Sequence, residues 1–322
     1  MPRNCLRRLF VCSARPRRRS RPPRRLAVEP LERCDLLTTL AVEIADPGCG
    51  GPGDKLFCEI QETVDVASKG DKIKVHAGTY QPFTVNKDKL TIRKAKGKSN
   101  PVINAAGAEN GIVLNANGVT LKGLEVQGAI GAGFLVNGED NTLRDNTAAH
   151  NGNHGFRLLD GSGNTLQGNV ANENAVDGFS ILRESITLKN NTASDNGDDG
   201  IHLATSKNNV LIGNTVSGNS DNGFVAIEIT DSTVRGNLGS DNSRDGFFLT
   251  GSSDNRLQAN TASGNRQDGF RLSNSDDNTL FENTAINNAG WGFFVELLLA
   301  NIFEDNKCEG NVLSGSNEPD IC

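Results

Sequence analysis

Residues 246–268 read GFFLTGSSDNRLQANTASGNRQD, and residues 269–291 read GFRLSNSDDNTLFENTAINNAGW. Each opens on Gly-Phe, puts an apolar residue two places on, and carries Asn at matching offsets. Outward from this pair the glycine recurs as Gly111, Gly133, Gly155, Gly178, Gly200, Gly223 and Gly292, in steps of 22 or 23 residues. The residue after it is Ile or Phe. Two places further stands Leu114, Val136, Leu158, Ile181, Leu203, Ala226, Leu249, Leu272 or Val295. Alternation with period two marks a short strand with one buried face. A second strand turns Leu121, Leu143, Leu166, Leu188, Leu211, Val234, Leu257, Leu280 and Phe303 inward; a third carries small residues such as Ala148, Ala171 and Ala262. A fixed period of this length marks a solenoid, and no unit contains the helical stretch of a leucine-rich or ankyrin repeat. The reading is all-β: a single-stranded right-handed parallel β-helix of three sheets, over residues 71–311.

Two polar columns run beside the strands. One passes through Asn146, Asn169, Asn191, Asn214, Asn237, Asn260, Asn283 and Asn306, the other through Asn151, Asn174, Asn196, Asn219, Asn242, Asn265, Asn288 and Asn311. Stacked amides donate one way and accept the other, satisfying backbone groups that a sharp corner would bury unpaired. Asn also tolerates the left-handed backbone expected at such corners. The glycine column is expected to permit the third corner.

Composition agrees with a thin, layered core: the chain has 36 Gly but one Trp, one Tyr and one Met. Residues 1–33 carry eleven Arg and two acids, a net of +9; the whole chain is −6, which leaves −15 on residues 34–322. Residues 1–44 therefore read as a basic, disordered leader or sorting segment. The acidic remainder repels phosphate backbones, which argues against nucleic acid as a partner. No stretch approaches the roughly 20 apolar residues of a membrane span. Cys49, Cys58, Cys308 and Cys322 flank the repeat, either as two disulfides, Cys49–Cys58 and Cys308–Cys322, or as free thiols. No Cys-x-x-Cys spacing offers a zinc site. Residues 45–70 form an N-terminal cap whose segment Lys55–Ala67 has helical apolar spacing, and residues 312–322 form a tail expected to cover Leu297, Leu298 and Leu299.

The repeat resembles those of the pectin-lyase-like superfamily, including NosD-type and mannuronan-epimerase-like proteins, over about 240 residues. Gly70 to Tyr80 is similar to that superfamily's usual first strand. The segment Arg24 to Leu37, around Leu31-Glu32-Arg33-Cys34-Asp35-Leu36-Leu37, resembles the LEPR-XLL segments of exported planctomycete-type proteins, with Val28 and Cys34 departing from the common form. The pair Cys49 and Cys58 is similar to the CSLREA segment that opens some bacterial β-helices. These resemblances imply export to the cell surface or medium.

β-Helix enzymes that act on polysaccharides work along the first parallel sheet, here the Gly-Phe strands. The residue before the repeat glycine is His154, Asp177, Asp199, Asn222, Asp245, Asp268 or Trp291, and the first outward strand residues include His202 and Arg271. Ligand contact is expected from Asp177, Asp199, His202, Asp245, Asp268 and Arg271. Catalysis, if present, would use Asp199 with His202 as acid and base, in a polysaccharide lyase, hydrolase or epimerase. Asp177 and Asp199 are the candidate Ca²⁺ ligands; no other cofactor is expected. The same aspartates equally serve as turn caps with Arg244 and Arg266 nearby. Asn-Thr-Asp, Asp-Pro-His-Glu and RTX-type motifs are absent. No coil from Gly111 to Asn311 exceeds 23 residues, so no long loop walls a groove. The leading expectation is a non-catalytic, exported scaffold contacting polysaccharide; an assembly segment using Leu135, Val225, Phe248 and Phe294 is a third possibility.

Overall fold

The computed structural model describes residues 38–43, 56–97, 99–182, 185–296, 300–318 and 321–322. They form an all-β parallel solenoid with three faces. Among the described residues a 13-stranded sheet carries the leucine strands, and two 11-stranded sheets carry the alanine and phenylalanine strands. Each strand pairs in parallel with its copy one coil away, as in Phe247↔Phe270 and Phe270↔Phe293. Neighbouring strands lie about 4.8 Å apart, so identical side chains must stack. Phe134, Phe156 and Phe179 do so with ring centroids 4.6 and 4.9 Å apart. Ile201 interrupts the column, which resumes from Phe224 to Phe293 at 4.5 to 4.8 Å.

The asparagine ladders run along two corners. Asn214, 1 % exposed, shows the unit. Its Nδ2 donates to the Leu188 carbonyl at 3.0 Å and to Asn237 Oδ1 at 2.9 Å. Its Oδ1 accepts the Asn191 amide N–H and Nδ2–H at 2.9 and 3.0 Å. Every polar atom of the buried amide group is satisfied, which is the condition for burying it without net cost.

Three expectations about the corners are corrected. First, the left-handed residue is the one before each ladder asparagine: Asp145, Gly168, Asn190, Gly213, Gly236, Ala259, Glu282 and Asp305 all have φ between 51° and 66°. The asparagine itself must keep an ordinary backbone to aim its amide inward. Second, none of the repeat glycines has positive φ. They are glycine because coils approach closely there: a Cβ on Gly155 would stand 2.7 Å from the Gly178 carbonyl oxygen and 2.8 Å from Asn174 Nδ2. Third, another ladder exists at the remaining corner. Asn141 N–H donates to Asn164 Oδ1, and the series Asn209, Ser232, Asn255, Asn278 and Asn301 continues it at 3.0 to 3.1 Å.

The ends also differ from expectation. Thr39–Val42, inside the segment read as leader, is a strand paired with Lys72–Val75 and Leu56–Phe57. The cap helix is shorter than its apolar spacing, Ile60–Val66, because Leu56 and Phe57 are drawn into the sheet. Its Gln61 amide accepts from Thr84 N–H at 2.7 Å and donates to Thr84 O at 3.3 Å. One side chain thus completes the edge of the first phenylalanine-sheet strand, Phe83–Val85. At the other end the tail extends the solenoid: Ser314–Ser316 pairs with Trp291–Val295. Cys322 then returns to form a disulfide with Cys308, Cα atoms 5.7 Å apart. Cys58 is disulfide-bonded; Cys49, Leu297, Leu298, Leu299 and most of residues 1–44 lie outside the described residues.

Candidate functional site

The phenylalanine sheet presents Leu135, Arg157, Ser180, His202, Val225, Phe248, Arg271 and Phe294 outward in one register. Along its edge runs the column His154, Asp177, Asp199, Asn222, Asp245, Asp268 and Trp291. The sequence offered these carboxylates as ligand contacts or as turn caps. The four aspartates are only 2 to 6 % exposed, because each turns one oxygen onto the backbone. Oδ1 of Asp177, Asp199, Asp245 and Asp268 accepts the amide N–H of Asp199, Asn222, Asp268 and Trp291, at 2.7 to 3.3 Å. This series has the opposite polarity to the asparagine ladders: here an amide donates back to the preceding coil.

Turn capping therefore occupies Oδ1 and leaves Oδ2 for other chemistry. At the centre of the face these second oxygens converge on imidazoles. His202 Nδ1 lies 3.5 Å from Asp199 Oδ2 and 3.7 Å from Asp177 Oδ2, and His154 Nδ1 lies 3.2 Å from Asp177 Oδ2. Ser180, small and in register between Arg157 and His202, lets His202 lean towards Asp177. Burial pushes the Asp199 carboxyl up to about 7; two bonds from Asn222 oppose the rise and the Asp177 and Asp198 charges add to it. Asp198 is raised by burial and by the Asp177 and Asp221 charges. A carboxyl that titrates near neutrality beside an imidazole can exchange protons.

The candidate ligands Asp177, Asp199 and His202 do come together, with donor atoms within 4.8 Å of one another. The donor set suits Ca²⁺ poorly. Calcium takes about 6–8 oxygens, whereas each aspartate has one oxygen committed to the backbone. One imidazole and two single oxygens are donors of the kind a smaller ion such as zinc takes. Arg244 pairs through Nε with Asp221 at 3.1 Å, and its charge also favours the ionised form of Asp245 in this column.

Asp245, Asp268 and Arg271 form a second group further along. Burial raises Asp245 to about 7, against the bond from the Asp268 amide, and burial raises Asp268. Arg271 stands 3.8 Å from Asp268, and its guanidinium lies over Phe248 and Phe294, 5.9 and 4.9 Å from the ring centroids. Trp291, Phe294, Arg266, Arg271 and Asp268 line a shallow depression of about 350 Å³. Val225 is buried, at 4 % exposure, so the apolar stripe Leu135–Phe294 is broken at its middle. His154 was not among the residues expected in the site. Its signal was present, since it precedes Gly155 as Asp177 precedes Gly178.

No curated protein matches the chain in sequence. Several solved structures share its fold. The A-module of mannuronan C-5 epimerase AlgE4 from Azotobacter vinelandii is 18% identical, with a TM-score of 0.63 over 77% of this chain and 89% of that one. A rhamnogalacturonan lyase gives 17% and 0.63 over 77% and 82%, and pectate lyase Pel9A gives 17% and 0.56 over 84% and 78%. At such identities the likeness concerns the fold. The model of a right handed beta helix region matches residues 83–238 and 183–318, most of the chain, and with the coil geometry above it places this protein in the right-handed β-helix family.

Proposed function

We propose that this protein is exported and contacts polysaccharide through the phenylalanine-sheet face, by binding and without catalysis. The observation that carries the reading is the Phe248–Arg271–Phe294 stack beside Trp291. The guanidinium between Phe248 and Phe294 restrains both rings, so little side-chain freedom is lost when a sugar meets them. Asp268 and Arg271 supply hydrogen-bonding groups at the same place. The face has no high walls, and a shallow repeated surface suits several weak contacts along a linear chain better than a dry reaction pocket. The similar structures include proteins whose names specify polysaccharides as what they act on. Among the described residues no helix is long and apolar enough to cross a membrane.

A second reading, a lyase, hydrolase or epimerase, is favoured by one observation: Asp199, titrating near 7, lies 3.5 Å from His202. A glycan array run beside a sugar-release assay separates the two. Binding that drops several-fold in Phe294→Ala, with no product released, supports the first. Product release abolished by Asp199→Asn establishes the second and removes the first.

A further inference from the structure

The chain carries a second polar face that the reading above does not use, on the outer side of the leucine sheet. Lys74, Arg93, Lys122 and Arg144 occupy the same outward register in four successive coils. Lys94 and Lys96 flank the row, and with Arg93, Lys122, Asn100 and Asp145 they line a concavity of about 480 Å³. The next residues in register are Gln167 and Lys189, so the continuous run of cations ends after Arg144.

Two facts set this row apart from ordinary surface charge. Like charges directly opposite on adjacent strands destabilise a sheet, yet four are stacked here at about 4.8 Å. Intramolecular neutralisation is also partial. Asp145 alone among the described residues answers Lys122 and Arg144, at 3.3 and 3.7 Å. Among the described residues Lys74, Arg93 and Lys96 make no ion pair. Residues 34–322 sum to −15, yet residues 69–98 carry nine Lys and Arg against two Asp, so the row begins in a basic stretch of an otherwise acidic chain.

We infer that this row binds a linear acidic polysaccharide, one carboxylate per sugar, laid along the solenoid axis. A ladder of cations at strand spacing offers one partner for each successive anionic group of such a chain, and binding removes the repulsion within the row. The phosphates of a nucleic acid would also meet the row, but the net charge of −15 on residues 34–322 opposes a large polyanion such as a duplex. A thin single chain fits within the row's width. The inference is independent of the phenylalanine face.

The test is zero-length coupling of oligogalacturonate to the full-length protein with a water-soluble carbodiimide, then mapping of sugar-bearing lysines by mass spectrometry. Residues 1–33 contain no lysine, so the arginine-rich segment contributes no signal. Coupling at Lys74, Lys96 and Lys122 should exceed that at Lys189, Lys207 and Lys307 several-fold. It should fall several-fold in Arg93→Gln/Arg144→Gln, whose exposed substitutions leave the circular dichroism spectrum unchanged, and persist in Phe294→Ala. Even coupling over all lysines, or coupling indifferent to the double substitution, overturns the inference. Loss of coupling in Phe294→Ala would assign the ligand to the other face and overturn it too. Displacement by a single-stranded oligonucleotide of equal charge, with none by an excess of alginate, would reject polysaccharide as the ligand class.

Discussion

Asp245 occupies in its coil the place Asn222 holds one coil earlier, and the two make the same bond. Asn222 Oδ1 accepts the Asp245 amide at 3.1 Å, and Asp245 Oδ1 accepts the Asp268 amide at 2.8 Å. An amide therefore serves the ladder as well as a carboxylate, while burial makes only the carboxylate costly in its charged form. Its folded-state pKa is about 7 against an ordinary 3.8. Between those values the folded protein holds a proton that the unfolded chain releases, so stability declines as pH rises through that window and levels off above it. Asp245→Asn should match the wild type near pH 4 and exceed it above pH 7. The gain is a few kcal/mol at most, since a shift of this size sets a ceiling on the order of 4 kcal/mol. Urea midpoints at pH 4, 6 and 8 measure it; an Asn variant less stable at pH 8 would mean that the negative charge itself holds the corner.

At the scale of the corner element, two adjacent residues divide the work: the first turns the chain and the second satisfies it. Ala259, exposed with φ 52°, pays the left-handed strain of roughly 1–2 kcal/mol per residue, and its bond to the Phe281 carbonyl is made by the backbone, which a glycine would keep. Ala259→Gly should stabilise by up to about 1 kcal/mol after the extra freedom of glycine in the unfolded chain is counted. The opposite result is expected at the second position. Asn214→Leu strands the Leu188 carbonyl and the Asn191 amide, at about 1–3 kcal/mol for each buried group, while Asn237 Oδ1 keeps the backbone N–H of residue 214. Asn208, exposed with φ 56°, is a turning residue beside Asn209 of the third ladder, and Asn208→Gly should be near neutral. Similar midpoints for Asn214→Leu and Asn208→Gly in urea would sink this division of roles.

Over the whole molecule, each coil touches only its neighbours, so a change at one end should stay there. The disulfide Cys308–Cys322 closes a segment with a sequence separation of 14, and a loop of this length is worth about 3 kcal/mol in the chain-entropy account. In Cys322→Ser that loss should appear as faster hydrogen exchange through Lys307–Glu309 and Ser314–Ser316, with coils before Phe270 unchanged. A uniform rise along the solenoid would show that the stack unfolds as one unit. The separation of the Phe134–Phe179 stack from the Phe224–Phe293 stack by Ile201 favours such local behaviour, since aromatic contact does not run unbroken through the core.

The period, the inward residues of all three strands and two of the three ladders were legible in the sequence, because a side chain repeated every 22 or 23 residues has one environment repeated every coil. The third ladder was legible as Asn-x-Leu at Asn141, Asn164, Asn209, Asn255 and Asn278 and as Asn-x-Phe at Asn301, but Ile186 and Ser232 break it and hid the column. Type and spacing could also bring Asp177, Asp199 and His202 near one another. They could not say which way each group faces. That Oδ1 of every aspartate is committed to the next coil, that Asp199 is buried far enough to titrate near 7, and that His154 joins the cluster were decided by packing between coils. The same holds for the repeat glycines: the sequence marks the position, while the reason, a carbonyl of the next coil within 2.9 Å of where a Cβ would be, exists only once coils are stacked at strand spacing.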